Sequence, residues 1–305
     1  FLSVPAFAAL ALSACSPTED TGGDVPDAAD PAASPSDEPA PQIFAATAWR
    51  AVASPFGAPS DELLFGTLDG QPLVFLPRHG RGHAIPPTEL NFRANIFGFK
   101  TLGVDWIVSA SAVGSLREEY RPLDIVIPDQ FLDRTRGRFS TFFGGGIVAH
   151  VGFAHPFCPV LSSIAFDAAT GAGARVHRGG TYVCMEGPQF SSRAESFLYR
   201  QWGCDVIGMT NMPEAKLARE AEMCYATLAC VTDYDVWREG DDDVTTDMIM
   251  ANLSANVEAS QRALRALLPH IAGERTCACE GALASAIATG ADIVPAELRL
   301  RLAPL

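Results

Sequence analysis

Four groups of residues in this sequence combine types that can handle a small, partly anionic substrate. Arg78, His79, Arg81 and His83 follow an apolar run in LPRHGRGH. They supply cationic and imidazole ligands for an anion, and an arginine's planar fork suits phosphate. Ser109 and Ser111 precede a glycine turn in SASAVGSLRE and offer hydroxyls, while Met209 and Thr210 close another apolar run in GMTNMPE. Asp233 and Asp235 stand two apart in VTDYDVW. That spacing puts both carboxylates on one side of an extended strand end. Two close carboxylates raise each other's proton affinity, so one of them can serve as a proton donor near neutral pH.

These groups need a frame that brings distant strand ends together. Continuous apolar runs at 71–79, 105–111, 124–129, 181–187, 204–210 and 225–235 predict strands covered on both faces. Segments 87–103 and 191–203 have helical spacing with a glycine at the end, and a long helix is expected over about 247–270. Strands alternating with helices predict an α/β domain, in which ligands collect where strands end in loops.

The net charge of −14 gives no electrostatic footprint for nucleic acid. Seven acidic residues (Glu19, Asp20, Asp24, Asp27, Asp30, Asp37 and Glu38) and no Lys or Arg lie in residues 1–49, which leaves 29 acidic against 22 basic residues elsewhere. Cys224 and Cys230 lie in an apolar run and read as small buried hydrophobes. Cys277 and Cys279 form a C-x-C pair, read either as a vicinal-type disulfide or as loop thiols; a structural zinc needs four ligands, so no metal site is expected.

Residues 1–15 are apolar and end in Leu12-Ser13-Ala14-Cys15, similar to a lipoprotein signal with Cys15 as the candidate lipid anchor. The alternative is a chance apolar stretch from a mis-joined gene start. Residues 16–43 are rich in Pro, Ala and acidic residues and are expected to form a disordered tether. The folded domain is expected over 44–305.

Over roughly residues 49–270 the chain resembles bacterial members of the methylthioadenosine phosphorylase branch of the trimeric nucleoside phosphorylases. The resemblance is carried, in the family's order, by SPFGAPSD, RHGRGH, NFRAN, SAVGSLRE, DQFLDRT, MEGPQFSSRAES, GMTNMPEAKLAREAE and TDYDVW. It implies a single α/β domain with a mixed central sheet flanked by helices. It also implies phosphorolysis of S-methyl-5′-thioadenosine to adenine and 5-methylthioribose 1-phosphate, with inorganic phosphate as co-substrate and no metal or organic cofactor. The transition state would be oxocarbenium-like, as in glycoside hydrolysis.

By the same resemblance, Arg78, His79, Ser111, the Ala112 backbone amide and Thr210 bind phosphate, and Met209 lies beneath the ribose. Asp233 and Asp235 contact N6 and N7 of adenine and are the catalytic pair. Phe190 packs on the purine, Ser191 and Thr246 bear on substrate choice, and His150 reaches the 5′ pocket of a neighbouring subunit in a homotrimer. An aspartate at 233 favours a 6-amino over a 6-oxo purine.

The sequence departs from the family at its start. No glycine lies between Gly23 and Gly57, so the first strand and its Gly-rich phosphate loop are expected to be missing. Two other readings stay open: a broader purine nucleoside or methylthioinosine phosphorylase, and a catalytically degenerate nucleoside-binding lipoprotein. Family resemblance points to the cytoplasm, and the Leu12–Cys15 segment to the cell envelope.

Overall fold

The computed structural model describes residues 7–12, 45–238, 246–271 and 274–305. Eleven strands form one mixed sheet: β1 (Phe7–Leu12), β2 (Ala45–Arg50), β3 (Leu63–Leu68), β4 (Gln71–Pro77), β5 (Val104–Ser115), β6 (Ile125–Ile127), β7 (Gln130–Asp133), β8 (Val176–Arg178), β9 (Thr181–Cys184), β10 (Val206–Gly208) and β11 (Cys224–Asp233). The helices are α1 (Phe92–Thr101), α2 (Pro159–Gly171), α3 (Arg193–Gln201), α4 (Asn211–Glu220), α5 (Thr246–Leu267) and α6 (Ala296–Leu302).

The period-two alternation of a strand decides which residue meets which helix layer. In β4, Val74 and Leu76 join one core with Phe92, Ile96 and Phe99 of α1 and Leu217 of α4. Leu73 and Phe75 of the same strand join the opposite core with Leu161 of α2 and Leu264 of α5. β11 repeats the rule: Tyr225, Ala229 and Val231 face the first core, and Cys224, Ala226, Leu228 and Cys230 the second. Both faces are therefore covered, which is why these strands read as unbroken apolar runs.

β5 organises the sheet. Along most of its twelve residues it pairs in parallel with β1 on one side and β11 on the other, and its far end pairs antiparallel with β10. β4, β1, β5 and β11 run in parallel, so their C-terminal ends share one edge.

The expected gap in the sheet is filled. Residues 7–12, from the segment read as signal-like, form β1 between β4 and β5, with Leu12 opposite Pro77 and Ala110. An alanine- and leucine-rich hexamer suits an inner strand of a sheet as well as it suits a leader's apolar stretch. The sites expected for the lipid anchor, most of the tether and any loop after β1 lie in 13–44, outside the described residues. Among the described residues no helix is long and apolar enough to cross a membrane.

Candidate active site

At the shared edge, the chain leaving β4 carries Arg78, whose guanidinium is fully buried. Its Nε lies 3.1 Å from Glu214 Oε2. Its Nη1 donates to Thr210 Oγ1 at 2.5 Å, and its Nη2 to Ser109 Oγ at 2.7 Å. Glu214 also accepts from the Tyr225 hydroxyl at 2.9 Å. Elements far apart in sequence (β4, β5, α4 and β11) are thus joined through one arginine, whose fork is fixed in plane before any ligand arrives.

His79 follows, also buried. Its Nδ1 lies 2.8 Å from the Ile85 carbonyl, which can only accept, so the ring proton sits on Nδ1 and Nε2 keeps its lone pair. Burial pushes its pKa down to about 3, against the opposing pull of the Ile85 hydrogen bond. The ring is therefore neutral at physiological pH, and it stacks on His83 with centroids 4.2 Å apart. Arg81, which the sequence groups with these residues, turns away to Asp61 at 2.8 Å.

Ser111 and Ala112 follow Ser109 along β5. Ser111 is buried, and its hydroxyl makes no hydrogen bond among the described residues. Thr210 stands at the N-terminal end of α4 without capping it, its hydroxyl turned to Arg78 instead. Such a helix end favours negative charge.

Met209 precedes Thr210 and packs against Gly187, where a Cβ would come within 2.5 Å of the Met209 sulfur. Its carbonyl, like that of Met212, accepts from Arg138 Nη1 at 2.7 Å.

β11 ends in the acid pair. A register shift between Val231 and Asp233, opposite Gly114 of β5, re-aims the chain. A Cβ on Gly114 would come within 3.0 Å of Asp233 Oδ1, so the glycine makes room for that carboxylate. Asp233 accepts from Thr232 Oγ1 at 2.6 Å and from the Asp235 backbone N–H at 2.8 Å. Asp235 adopts a left-handed backbone, φ 53°, which turns its carboxylate back beside Asp233. Burial raises the pKa of both carboxyls, and the charge of Asp233 adds to the rise at Asp235. Ser196 and Ser191 lie beside the Asp235 carboxylate and oppose the rise, yet Asp235 Oδ2 has no hydrogen-bond partner.

Arg78, Ser109 and Thr210 are thus joined by direct contacts, while Ser191 stands with Asp233 and Asp235. Phe190, beside Ser191, is 43% exposed, an aromatic face open to a ligand. His150 belongs to neither group: it is exposed on a cleft of about 400 Å³ lined also by Phe143, Phe153, Lys216 and Glu220. Thr246 opens α5, but its side chain lies outside the description. Glu214, Tyr225 and Arg138 are the functional partners that motif reading passed over.

Comparison with known proteins places the chain in a family. The family model for the phosphorylase superfamily matches residues 33–269. An S-methyl-5′-thioadenosine phosphorylase of Koribacter versatilis is 59% identical over 251 residues, covering 82% of this chain and 86% of that protein. The one from Geobacter sulfurreducens is 59% identical over 252 residues, covering 82% and 88%. Among solved structures, a methylthioadenosine phosphorylase sourced from an antarctic soil metagenomic library superposes with a TM-score of 0.85 at 42% identity, covering 98% of both chains. One from Schistosoma mansoni in complex with adenine gives a TM-score of 0.76 at 34% identity, covering 88% of this chain and 92% of that one.

Proposed function

Since this chain belongs to the phosphorylase superfamily, within its methylthioadenosine phosphorylases, we propose that it cleaves S-methyl-5′-thioadenosine with inorganic phosphate, giving adenine and 5-methylthioribose 1-phosphate. Above all, an arginine–threonine–serine anion cradle and a buried acid pair meeting at one sheet edge support this reaction.

Arg78, Thr210, the Ser111 hydroxyl and the Ala112 N–H hold phosphate. Neutral His79, with its lone pair on Nε2, accepts a hydrogen bond from the P–OH of hydrogen phosphate and orients this dianion as the nucleophile. A phosphate oxygen forms the new bond to C1′ as the bond to the adenine nitrogen breaks, and the departing electrons collect on the purine ring. A carboxyl of the Asp233–Asp235 pair, whose proton affinity burial raises, donates to N7 as the base leaves, and the pair accepts from the 6-amino group. A 6-oxo purine brings an acceptor to that place and leaves buried polar groups mispaired, so adenine is preferred. Phe190 and Met209 sandwich base and ribose, Ser191 and Thr246 shape substrate choice, and the reaction needs no resident cofactor. The exposed His150 cleft fits a subunit contact, in a homotrimer whose neighbouring chains complete each other's 5′ pockets.

The test is adenine release from methylthioadenosine by the full chain, with and without phosphate. Phosphate-dependent release, with stoichiometric sugar phosphate, is expected. Phosphate-independent release, or nucleoside binding by a folded protein without turnover, overturns the proposal.

A further inference from the structure

Away from the sheet edge, the fold collects four cysteines that the sequence scatters. Cys158 stands at the N-cap of α2, Cys224 begins β11, and Cys277 and Cys279 belong to the short turn after α5. All four Sγ atoms lie within 4.8 Å of one another, and those of Cys224 and Cys277 are 3.2 Å apart. Three of the four are buried and Cys277 is partly so. None is joined in a disulfide.

We propose that Cys158, Cys224, Cys277 and Cys279 form a structural site for a thiophilic divalent cation of the zinc class. Four thiolates at roughly 2.3 Å from a central zinc stand about 3.8 Å apart at the corners of a tetrahedron. The observed cluster brackets that spacing, so small side-chain rotations suffice. Four protein sulfurs fill the shell and leave no position for water or substrate, as in a closed structural site.

The surroundings suit the charge. Zinc binding displaces the thiol protons to solvent, and four thiolates about one divalent ion leave two net negative charges. The N-terminus of the thirteen-residue α2 meets that charge, where the Leu161 N–H already donates to Cys158 Sγ at 3.4 Å. Leu161, Ala165, Trp106 and Leu268 belong to the same apolar core and exclude water.

Such a site ties the C-terminal segment to the sheet. Beyond the cysteine turn, that segment supports the loop carrying His150. The Ala288 N–H donates to the Val148 carbonyl and the His150 N–H to the Ala286 carbonyl, at 2.9 and 2.8 Å. The Val148 N–H donates to Thr289 Oγ1 at 2.9 Å. The metal would thus brace the cleft from a distance, without contact with the reacting atoms.

The test uses the full chain purified under a thiol-free reductant, with metal content measured by mass spectrometry and cobalt(II) substitution followed in the visible and near ultraviolet. Equimolar zinc is expected, together with intense tetrahedral d–d bands and a sulfur-to-cobalt charge-transfer band. Cys277→Ser, at the most exposed ligand, should weaken zinc retention against a chelator by at least tenfold and lower the melting temperature. Cys204→Ser, outside the cluster, should retain the metal and so controls for unfolding. A folded wild-type chain that binds neither zinc nor cobalt overturns the site. So do disulfides among the four cysteines that persist under the reductant, and undiminished zinc in Cys277→Ser.

Discussion

At the phosphate end of the site, protein groups hold the anion ligands in place: Glu214, Thr210 and Ser109 fix Arg78, and the Ile85 carbonyl fixes His79. At the base end, burial raises both carboxyl pKa values and leaves Asp235 Oδ2 without a hydrogen-bond partner. The difference follows from the two tasks. An anion is best held by donors whose orientation is settled beforehand, because no reorganisation is then needed as the reaction proceeds. A proton moves most readily from a group whose ionised form the site does not fully stabilise.

The phosphate end depends on the frame behind it, and the largest effect should come from removing that frame. β1 ends at Leu12 beside Pro77 and Ala110, at the edge that carries Arg78 and Ser111. Deleting residues 1–15 exposes the facing ladders of β4 and β5, and the truncated chain is expected to be recovered aggregated or largely unfolded by circular dichroism. A folded, active truncation would show that β1 is dispensable and restore the reading of this segment as a leader.

Arg78→Ala comes next. Phosphate binding and transition-state stabilisation fall together, with kcat/KM for phosphate lower by roughly 10²–10³, as for loss of an oxyanion donor. Glu214 is left as a buried, unpaired charge, costing about 3–5 kcal/mol. Adding Glu214→Gln should recover much of the stability, read by urea unfolding, and none of the activity. Recovery of activity would mean that Arg78 serves the fold alone.

Asp233→Asn probes the other end. The amide keeps the shape but cannot share a proton, so turnover of methylthioadenosine should fall by about 10²-fold while the KM for phosphate changes little. Turnover of inosine, measured in parallel, should fall less or rise, because an amide can donate to a 6-oxo purine. An equal loss on both substrates would separate Asp233 from base recognition.

The same contrast explains what the sequence disclosed. Arg78, His79, Thr210 and the acid pair were legible because each closes an apolar run, and strand ends at one sheet edge share a site. Glu214 was not, since its partner Arg78 lies 136 residues away and nothing local marks the pairing. β1 was not foreseen because an inner strand of a parallel sheet and a leader's apolar stretch share one sequence pattern. α2 escaped because its N-cap is Cys158 with Pro159 behind it, and sulfur is not among the usual capping groups. α4 was hidden by Pro213 and by the extended backbone of Met212 within its first turn. The four-cysteine cluster is the same lesson in another form: two members are near neighbours in sequence, and the fold alone brings in the other two.

The smallest expected effect concerns pH. His79 has a folded pKa of about 3 against 6.5 unfolded. Its contribution to stability is therefore complete above the unfolded value and is lost as pH falls from there toward 3. Between pH 7 and pH 6 this loss amounts to about 0.7 kcal/mol by linkage. The carboxyls at the base end have raised pKa values, so their contribution runs the other way: it is present at low pH and lost as pH rises through the folded values. His79→Asn places an amide N–H where Nδ1–H stood and keeps a donor for the Ile85 carbonyl. Urea unfolding of this variant should lose the decline between pH 7 and pH 6, whereas Asp233→Asn should leave it in place. If the decline survives in His79→Asn, the imidazole is not held neutral by burial, and the phosphate end is less rigidly set than its hydrogen bonds indicate.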